Sequence, residues 1–313
     1  MSDAVLSGVV IQTTDLSRRY GSRRGIEKIN LTISEGEIFG FLGPNGAGKS
    51  TTIRILVGLL RAGSGAAEIF GRDCWTSGPE IRREIGYIAG DVRLYPWLTT
   101  HSALKILSGV HGRDLLSNGL EIAERFRLEP RLSVRRMSRG NRQKVAIVLA
   151  LAHRPKLVIL DEPTSGLDPL MQETLMQCLR EMAREGRTVM FSSHTLSEVE
   201  SLCDHVAMVR NGQIVEDSTV SRLKSLAPRQ IAVTLRSDQH PENIQWPEVL
   251  RRAERPAATL SVSDARTEYF ELTGSSASLV EWAATQNFAD VTIGLPSLEV
   301  LFRRYYDFSA EAD

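Results

Sequence analysis

Residues 37–52, EIFGFLGPNGAGKSTT, constrain this chain more than any other stretch. An apolar run (Ile38, Phe39, Phe41, Leu42) reads as a buried parallel strand, Gly43 opens the octet GPNGAGKS, and residues 51–60 continue at helical spacing. Strand, glycine loop, helix is an anion-binding order. With Gly43, Gly46 and Gly48 lacking side chains, backbone N–H groups along a stretch that also holds Pro44, Asn45 and Ala47 can turn inward around a polyphosphate, and the helix presents its positive dipole end. Lys49 would reach the terminal phosphates as a point charge. Ser50, followed by Thr51, would offer a hydroxyl to a bridging Mg²⁺.

At 313 residues the chain suits a main domain plus an extension. Its charges balance, with 38 basic and 38 acidic residues, so no whole-molecule field favours nucleic acid or an anionic membrane. Cys74, Cys178 and Cys203 lie far apart without C-x-x-C spacing, which argues against a disulfide framework or a zinc site and predicts buried, inert thiols. MSDAVLSGVVIQ lacks the pattern of a secretory signal. The longest apolar run, VAIVLALA at 145–152, falls well short of the roughly 20 residues a spanning helix needs. If the protein works at a membrane, another chain spans it.

In chain order, residues 9–33 alternate apolar and polar residues and predict two or three strands of a small sheet. Tyr20 stands there between arginine pairs, able to stack on a purine ring or to pack on the sheet edge. Short strands follow at 66–71 and 85–88, with a turn at Gly90-Asp91, and residues 99–128 carry apolar positions at helical spacing. The basic run RLSVRRMSRGNRQK then opens into an apolar helix, and Ser138 with Gly140 makes its start a second candidate anion site. KLVILDEPTSGLD at 156–168 reads as a central strand ending in Asp161 and Glu162. A carboxylate at that sheet edge can hold Mg²⁺ while its neighbour orients a water. A buried strand at 188–192 brings His194 to the same edge, and a helix at 196–203 with strands at 205–209 and 213–215 closes the main domain.

Beyond about residue 221 the texture changes. Strands at 231–235, 258–262, 269–272 and 289–293 and helices at 277–286 and 298–306 predict a small α+β extension with no chemical motif of its own.

These pieces, in this order, resemble the nucleotide-binding subunit of ABC transporters over roughly residues 5–220, with a helical subdomain at about 92–154 and the extension at 221–313. G-P-N-G-A-G-K-S-T matches the family's Walker A motif, L-V-I-L-D-E-P its Walker B motif, S-G-L-D at 165–168 its D-loop and S-S-H its switch histidine. Ser138, Arg139, Gly140 and Asn141 occupy the signature, normally L-S-G-G-Q. The resemblance implies an α/β fold: a RecA-like P-loop NTPase core with an antiparallel β subdomain and a helical subdomain. It implies ATP and Mg²⁺ as ligands, and a head-to-tail homodimer with each ATP between one Walker A motif and the other copy's signature. Tyr20 becomes the adenine-stacking aromatic, Glu162 the water-polarising base, Asp161 the Mg²⁺ partner, His194 the γ-phosphate sensor and Asp168 a contact across the dimer.

Two positions depart from the pattern. Gly90 stands where the family places a glutamine touching Mg²⁺ and the membrane subunit, which passes that contact to Asp91 or removes it. Arg139 and Asn141 replace a glycine and a glutamine of the signature, while Ser138 and Gly140 keep the hydroxyl and the close backbone approach. The carboxyl-terminal PSLEVLFRRYY resembles bacterial subunits paired with ABC-2 type export permeases. The expectation is therefore an ATPase subunit, peripheral on the cytoplasmic face of a bacterial-type membrane and with no nucleic-acid partner. Competing expectations are a soluble ATPase of this type acting on ribosomes or DNA, and a clamp that barely hydrolyses.

Overall fold

Segments such as IFGFL and LVILD have no polar face to show to water, so they must be covered on both sides. They lie at the middle of a parallel sheet in the computed structural model, which describes residues 8–21, 23–253, 266–273, 275–294 and 302. Chain contacts divide the molecule into two units, Met1–Val220 and Ser221–Asp313.

The first unit opens with a long hairpin, β1 (Val9–Tyr20) and β2 (Arg23–Ser34), followed by β3 (Ile38–Leu42) and helix α1 (Lys49–Leu56). Next come β4 (Ser64–Ile69), β5 (Arg72–Asp73), α2 (Gly78–Glu84) and β6 (Ile85–Ile88). Three helices follow, α3 (Thr100–His111), α4 (Leu116–Arg125) and α5 (Arg139–Leu151). The chain then returns through β7 (Leu157–Asp161), α6 (Pro169–Arg184), β8 (Thr188–Ser193), α7 (Leu196–Leu202), β9 (His205–Arg210) and β10 (Gln213–Thr219).

The central sheet has the order β10-β9-β3-β8-β7-β6. All its neighbours are parallel except β10, which turns back on β9 at Asn211-Gly212. A second, antiparallel sheet has the order β2-β1-β4-β5. One core joins the two: Ile11, Leu16, Ile29 and Leu31 from the hairpin meet Phe39 and Phe41 of β3 and Ile53 and Leu56 of α1, all essentially without solvent contact. Burying α1 between sheets fixes the direction of its first turn, and with it the glycine loop.

The helices α3 to α5 build a separate core around Leu104, Ala123, Val145 and Val148. Thr99 and Ser102 cap α3 reciprocally, and Gly112 ends it in the left-handed region at φ 63°. At Gly119 of α4 an added Cβ would stand 2.3 Å from Leu104 Cδ2, so only glycine lets α3 and α4 approach this closely.

Several boundaries differ from the sequence-based expectation. Residues 9–33 give two strands, the lower of the two numbers expected. The loop helix stops at Leu56 rather than near residue 60, because Gly58 turns left-handed at φ 66° and the N–H groups of Leu59 and Leu60 fold back onto Arg54 O. The last strand of the unit runs on to Thr219. Helices α2 and α6 were not anticipated. All three cysteines are buried; burial pushes the Cys74 thiol up to about 12 and Cys178 to about 11, so neither is a ready nucleophile.

After α8 (Val220–Leu226), the second unit contains β11 (Arg229–Thr234), β12 (Leu250–Arg252), β13 (Thr267–Leu272), α9 (Ser276–Gln286) and β14 (Asp290–Ile293). Its antiparallel sheet, β12-β13-β11-β14, encloses Ile231, Val233 and Phe270 with Leu279 of α9. Trp246 packs against Phe270, Trp282 and Phe288. The strand expected at 258–262 and, apart from Phe302, the helix expected at 298–306 lie outside the described residues.

Helix propensity alone would make Gly119→Ala stabilising. Against the buried Leu104 the added methyl is expected instead to cost about 1–3 kcal/mol, read as a thermal unfolding midpoint lower by a few degrees. An unchanged or raised midpoint would contradict this packing.

Candidate phosphate-binding site

The carboxyl ends of β3, β7 and β8 come to one sheet edge, where the glycine loop begins. Gly43 N donates to Ser193 O at 3.3 Å, and a Cβ at Gly43 would lie 2.4 Å from Val209 O, so the entry to the loop admits only glycine. Gly46 and Gly48 have φ of 83° and 113°, and a Cβ at Gly48 would also strike Ile26. Outside contacts hold the loop open: Ala47 O accepts from Gly212 N at 2.9 Å, and Gly212 O from Glu27 N at 2.7 Å. Gly48 caps α1 without any side-chain hydrogen bond, so no side chain competes for that helix start.

Lys49 projects back from α1 under the loop, 4% exposed. Its ammonium donates to Gly43 O at 2.6 Å and Pro44 O at 3.2 Å and pairs with Glu162 Oε1 at 3.1 Å. Three oxygens around one buried ammonium offset its desolvation. A cleft of roughly 370 Å³ opens above it, lined by Tyr20, Gly25, Pro44, Asn45, Gly46, Gly48, Lys49, Ser50, Thr51 and Glu162. Tyr20 forms one wall, half exposed, with its hydroxyl 3.5 Å from Thr51 Oγ1 and the Arg18 guanidinium 5.6 Å from its ring centre. Gly25 makes room for that ring, since a Cβ there would come within 2.9 Å of it.

Asp161, the last residue of β7, is almost fully buried and accepts from Ser192 Oγ at 2.7 Å. Glu162 adopts φ 48°, an uncommon region for a non-glycine residue, and its N–H donates to Ser192 O at 3.2 Å and Ser192 Oγ at 3.1 Å. That turn brings one oxygen of its carboxylate to Lys49 and the other to His194 Nδ1 at 3.4 Å. The structure thus gathers Lys49, Asp161, Glu162 and His194 around the loop. Ser192, which holds both acidic residues, is absent from the sequence-based candidates although it stands in the S-S-H motif.

The other predicted residues lie elsewhere in the protomer. Ser138 caps α5, its hydroxyl accepting from Asn141 N at 3.2 Å, and none of residues 138–141 lines the cleft. Asp168 caps α6 by accepting from Met171 N at 3.0 Å. Asp91, one of the two alternatives at this position, has an exposed carboxylate that pairs with Arg93 Nε at 2.8 Å, and it lines a different cavity. Position 90 is the one that adjoins Asp161, with a Cβ there 3.3 Å from Asp161 Oδ2, and glycine leaves that side bare.

The cavity beside Asp91 is an apolar groove of about 770 Å³ between β6, α3 and α5. Tyr95 and Trp97 stack at 5.9 Å on its rim, 70% and 62% exposed, and Ile106 on α3 adds to the same bare surface. His153 lies against the groove, stacked on His111 at 4.5 Å. Burial, then the nearby His111, pulls its pKa down to about 4, so at neutral pH the imidazole adds no charge.

Residues 26–165 match the family model described as ABC transporter. The chain is 39% identical over 235 residues, covering 74% of it and 76% of the relative, to the bacitracin transport ATP-binding protein BcrA of Bacillus licheniformis. It is 32% identical over 222 residues, covering 69% and 71%, to the linearmycin resistance ATP-binding protein LnrL of Bacillus subtilis. Among solved structures, an ATP-binding subunit of an ABC transporter aligns with TM-score 0.64 and 33% identity over 69% of this chain and 92% of that one. A dimeric bacterial ABC transporter cassette aligns with TM-score 0.63 and 25% identity over 67% and 98%.

Removing the ammonium, by Lys49→Ala, is expected to weaken ATP binding at least tenfold in a titration followed by fluorescence or heat. Ser192→Ala removes the hydroxyl that donates to Asp161 and accepts from Glu162 N–H. It is expected to spare ATP affinity within about threefold while lowering turnover by about tenfold or more.

Proposed function

The chain belongs to the ABC transporter family of ATP-binding proteins, and we propose that it is the ATP-hydrolysing subunit that powers export through a separate membrane permease. The observation that carries this reading is the line Lys49–Glu162–His194 beside a glycine loop, with Asp161 fixed next to it. A γ-phosphate seated on the loop would take over the Lys49 ammonium. Glu162 would then be released to accept a proton from an attacking water while His194 contacts the phosphate. The base is in place before the phosphate arrives, and the phosphate frees it.

Mg²⁺ fits the donor set. One hydroxyl, Ser50, and one buried carboxylate, Asp161, with an oxygen toward the bare side at Gly90, suit a hard cation that takes its remaining ligands from phosphate and water. The ion would supply positive charge to the phosphate oxygens. Tyr20 is oriented to stack on the adenine, its ring standing beside the Thr51 end of the loop.

Residues 138–141 belong to the same reading. They lie outside the cleft of their own protomer, so a second copy, arranged head to tail, would bring Ser138, Arg139, Gly140 and Asn141 to the phosphates, with Asp168 beside the junction. The relative named for bacitracin transport and the one named for linearmycin resistance favour export. Among the described residues no helix is long and apolar enough to cross a membrane. The permease is proposed to be a separate chain of the ABC-2 type, with this subunit on the cytoplasmic face of the membrane. The apolar groove rimmed by Tyr95 and Trp97 is the surface that fits such a partner, because an exposed stacked aromatic pair beside a concave apolar surface is costly to leave in water.

Glu162→Gln is expected to lower ATP turnover by at least about a hundredfold and to accumulate an ATP-bound dimer in gel filtration, while the wild type turns ATP over and stays mostly monomeric. Equal, negligible turnover in both would point to a clamp rather than a transport ATPase. In cells that co-express the permease, the wild type is expected in the membrane fraction, and Tyr95→Ser with Trp97→Ser in the soluble fraction with ATP affinity unchanged. Recovery of the wild type only in the soluble fraction would remove the permease from the reading.

A further inference from the structure

Arg139 stands where the signature pattern places a glycine, and a long cation there needs a physical account. Its guanidinium is held within its own chain: Nη2 donates to Ser165 Oγ at 3.0 Å. Its stem lies over Gly166, in contact range of it: a Cβ built there would sit 3.5–3.6 Å from Arg139 Cγ, Cδ and Nε. Below it the backbones touch, since a Cβ at Gly140 would fall 2.5 Å from Gly166 O. One turn further along α5, the buried Gln143 donates to Pro163 O at 2.9 Å. Three consecutive features of the α5 start are therefore fastened to residues 163–166.

That loop begins at Glu162. Ser165 N donates to Glu162 O at 3.2 Å, closing a turn whose first residue is Glu162, which sits at φ 48° with its carboxylate on Lys49 and His194. A connected path thus runs from the guanidinium of Arg139, through Ser165, to the residue proposed as base. Arg139 is exposed, so its partner can change. A phosphate presented to the α5 start competes with the Ser165 hydroxyl for the guanidinium, and a charge-assisted bond to a phosphate is the stronger of the two.

We propose that Arg139 is a positioning residue that couples two sites: occupancy of the site facing α5 draws its guanidinium off Ser165 and so resets the turn that carries Glu162 in the same chain. The inference rests on the head-to-tail reading above and adds to it a cis linkage between the phosphate that α5 caps and the hydrolytic group of the other cleft. Its signature is cooperativity in ATP, because each copy's base then depends on the nucleotide held by the facing copy.

The test is a double-mutant cycle in the full chain, with ATP turnover, its Hill coefficient and ADP affinity as readouts. Because the facing phosphate is what breaks the Arg139–Ser165 bond, Ser165→Ala is expected to bring the Hill coefficient toward unity with kcat at saturating ATP within about threefold of wild type, and Arg139→Met to lose cooperativity likewise, while ADP affinity stays within about twofold as a check on folding. The double variant is expected to be no less cooperative than either single one, since both remove the same bond. Ser165→Thr, which keeps the hydroxyl, is expected to retain cooperativity. Wild-type cooperativity in Ser165→Ala beside its loss in Arg139→Met would make Arg139 a phosphate contact without a relay. A kcat loss of about tenfold or more in Ser165→Ala at saturating ATP would make the bond part of the active arrangement rather than of the resting one. Either result, or unchanged kinetics in both, overturns the coupling. Failure of the underlying reading looks different, as absent turnover in the wild type or no ATP-driven pairing of Glu162→Gln.

Discussion

A buried ammonium sets the terms for the rest of the site. Lys49, 4% exposed, would be untenable without the Gly43 and Pro44 carbonyls and the Glu162 carboxylate. Those carbonyls face inward only because the loop takes φ values that β-carbons resist, and because Gly43 passes against Val209. The strands and α1 are therefore as much part of the site as the loop is: loosen Phe39, Phe41 or Ile53 and the ammonium loses its cage. Structure and chemistry share one constraint, the need to keep one desolvated cation paired until a better anion replaces the carboxylate.

Ser192 shows how the neighbouring strand makes that replacement productive. Its hydroxyl donates to Asp161 and also stands within reach of Glu162 N–H, while its carbonyl accepts from the same N–H. One serine near the end of β8 thus fixes two adjacent acidic residues, the last of β7 and the one after it, in different directions. Asp161 stays buried along the strand; Glu162 turns out at φ 48° toward Lys49 and His194. A turn of this kind costs about 1–3 kcal/mol in an ordinary loop, and the hydrogen bonds from Ser192 and within 162–165 are what over-determine it.

Much of this was legible in the sequence, and the reasons differ by element. GPNGAGKS is readable because glycines at fixed offsets before a lysine have few other uses, and LVILDE because an apolar run ending in two acids has no comfortable bland structure. The α6 helix shows in the sequence only as the helical spacing of Met171, Leu175, Cys178, Leu179 and Met182, behind an acidic motif that reads as a loop. Asp91 illustrates a different limit. Sequence adjacency to Gly90 says nothing about which way a loop residue faces, and Arg93, two residues on, captures it. The apolar groove was invisible because its lining comes from β6, α3 and α5, segments remote in sequence that only the fold assembles. In the second unit β11, β13 and β14 are readable from β-branched and aromatic alternation while β12 is not, and the aromatic cluster around Trp246 joins residues of two loops, β13 and α9, which no single-segment pattern contains.

Charge bookkeeping explains why one protomer is an incomplete machine. Lys49 brings a single positive charge to the cleft, and Glu162 already cancels it. A triphosphate with one divalent cation still carries roughly two negative charges, so the cleft by itself cannot neutralise its ligand. Across residues 131–144 the chain holds Arg131, Arg135, Arg136, Arg139, Arg142 and Lys144 with no acid among them, running into the first turns of α5. None of these residues lines the chain's own cleft. In the head-to-tail arrangement proposed above, the surplus of one copy would offset the deficit of the other. The same separation makes a relay such as Arg139 to Ser165 to Glu162 useful, because each copy must otherwise hydrolyse without any sign that the facing nucleotide is in place.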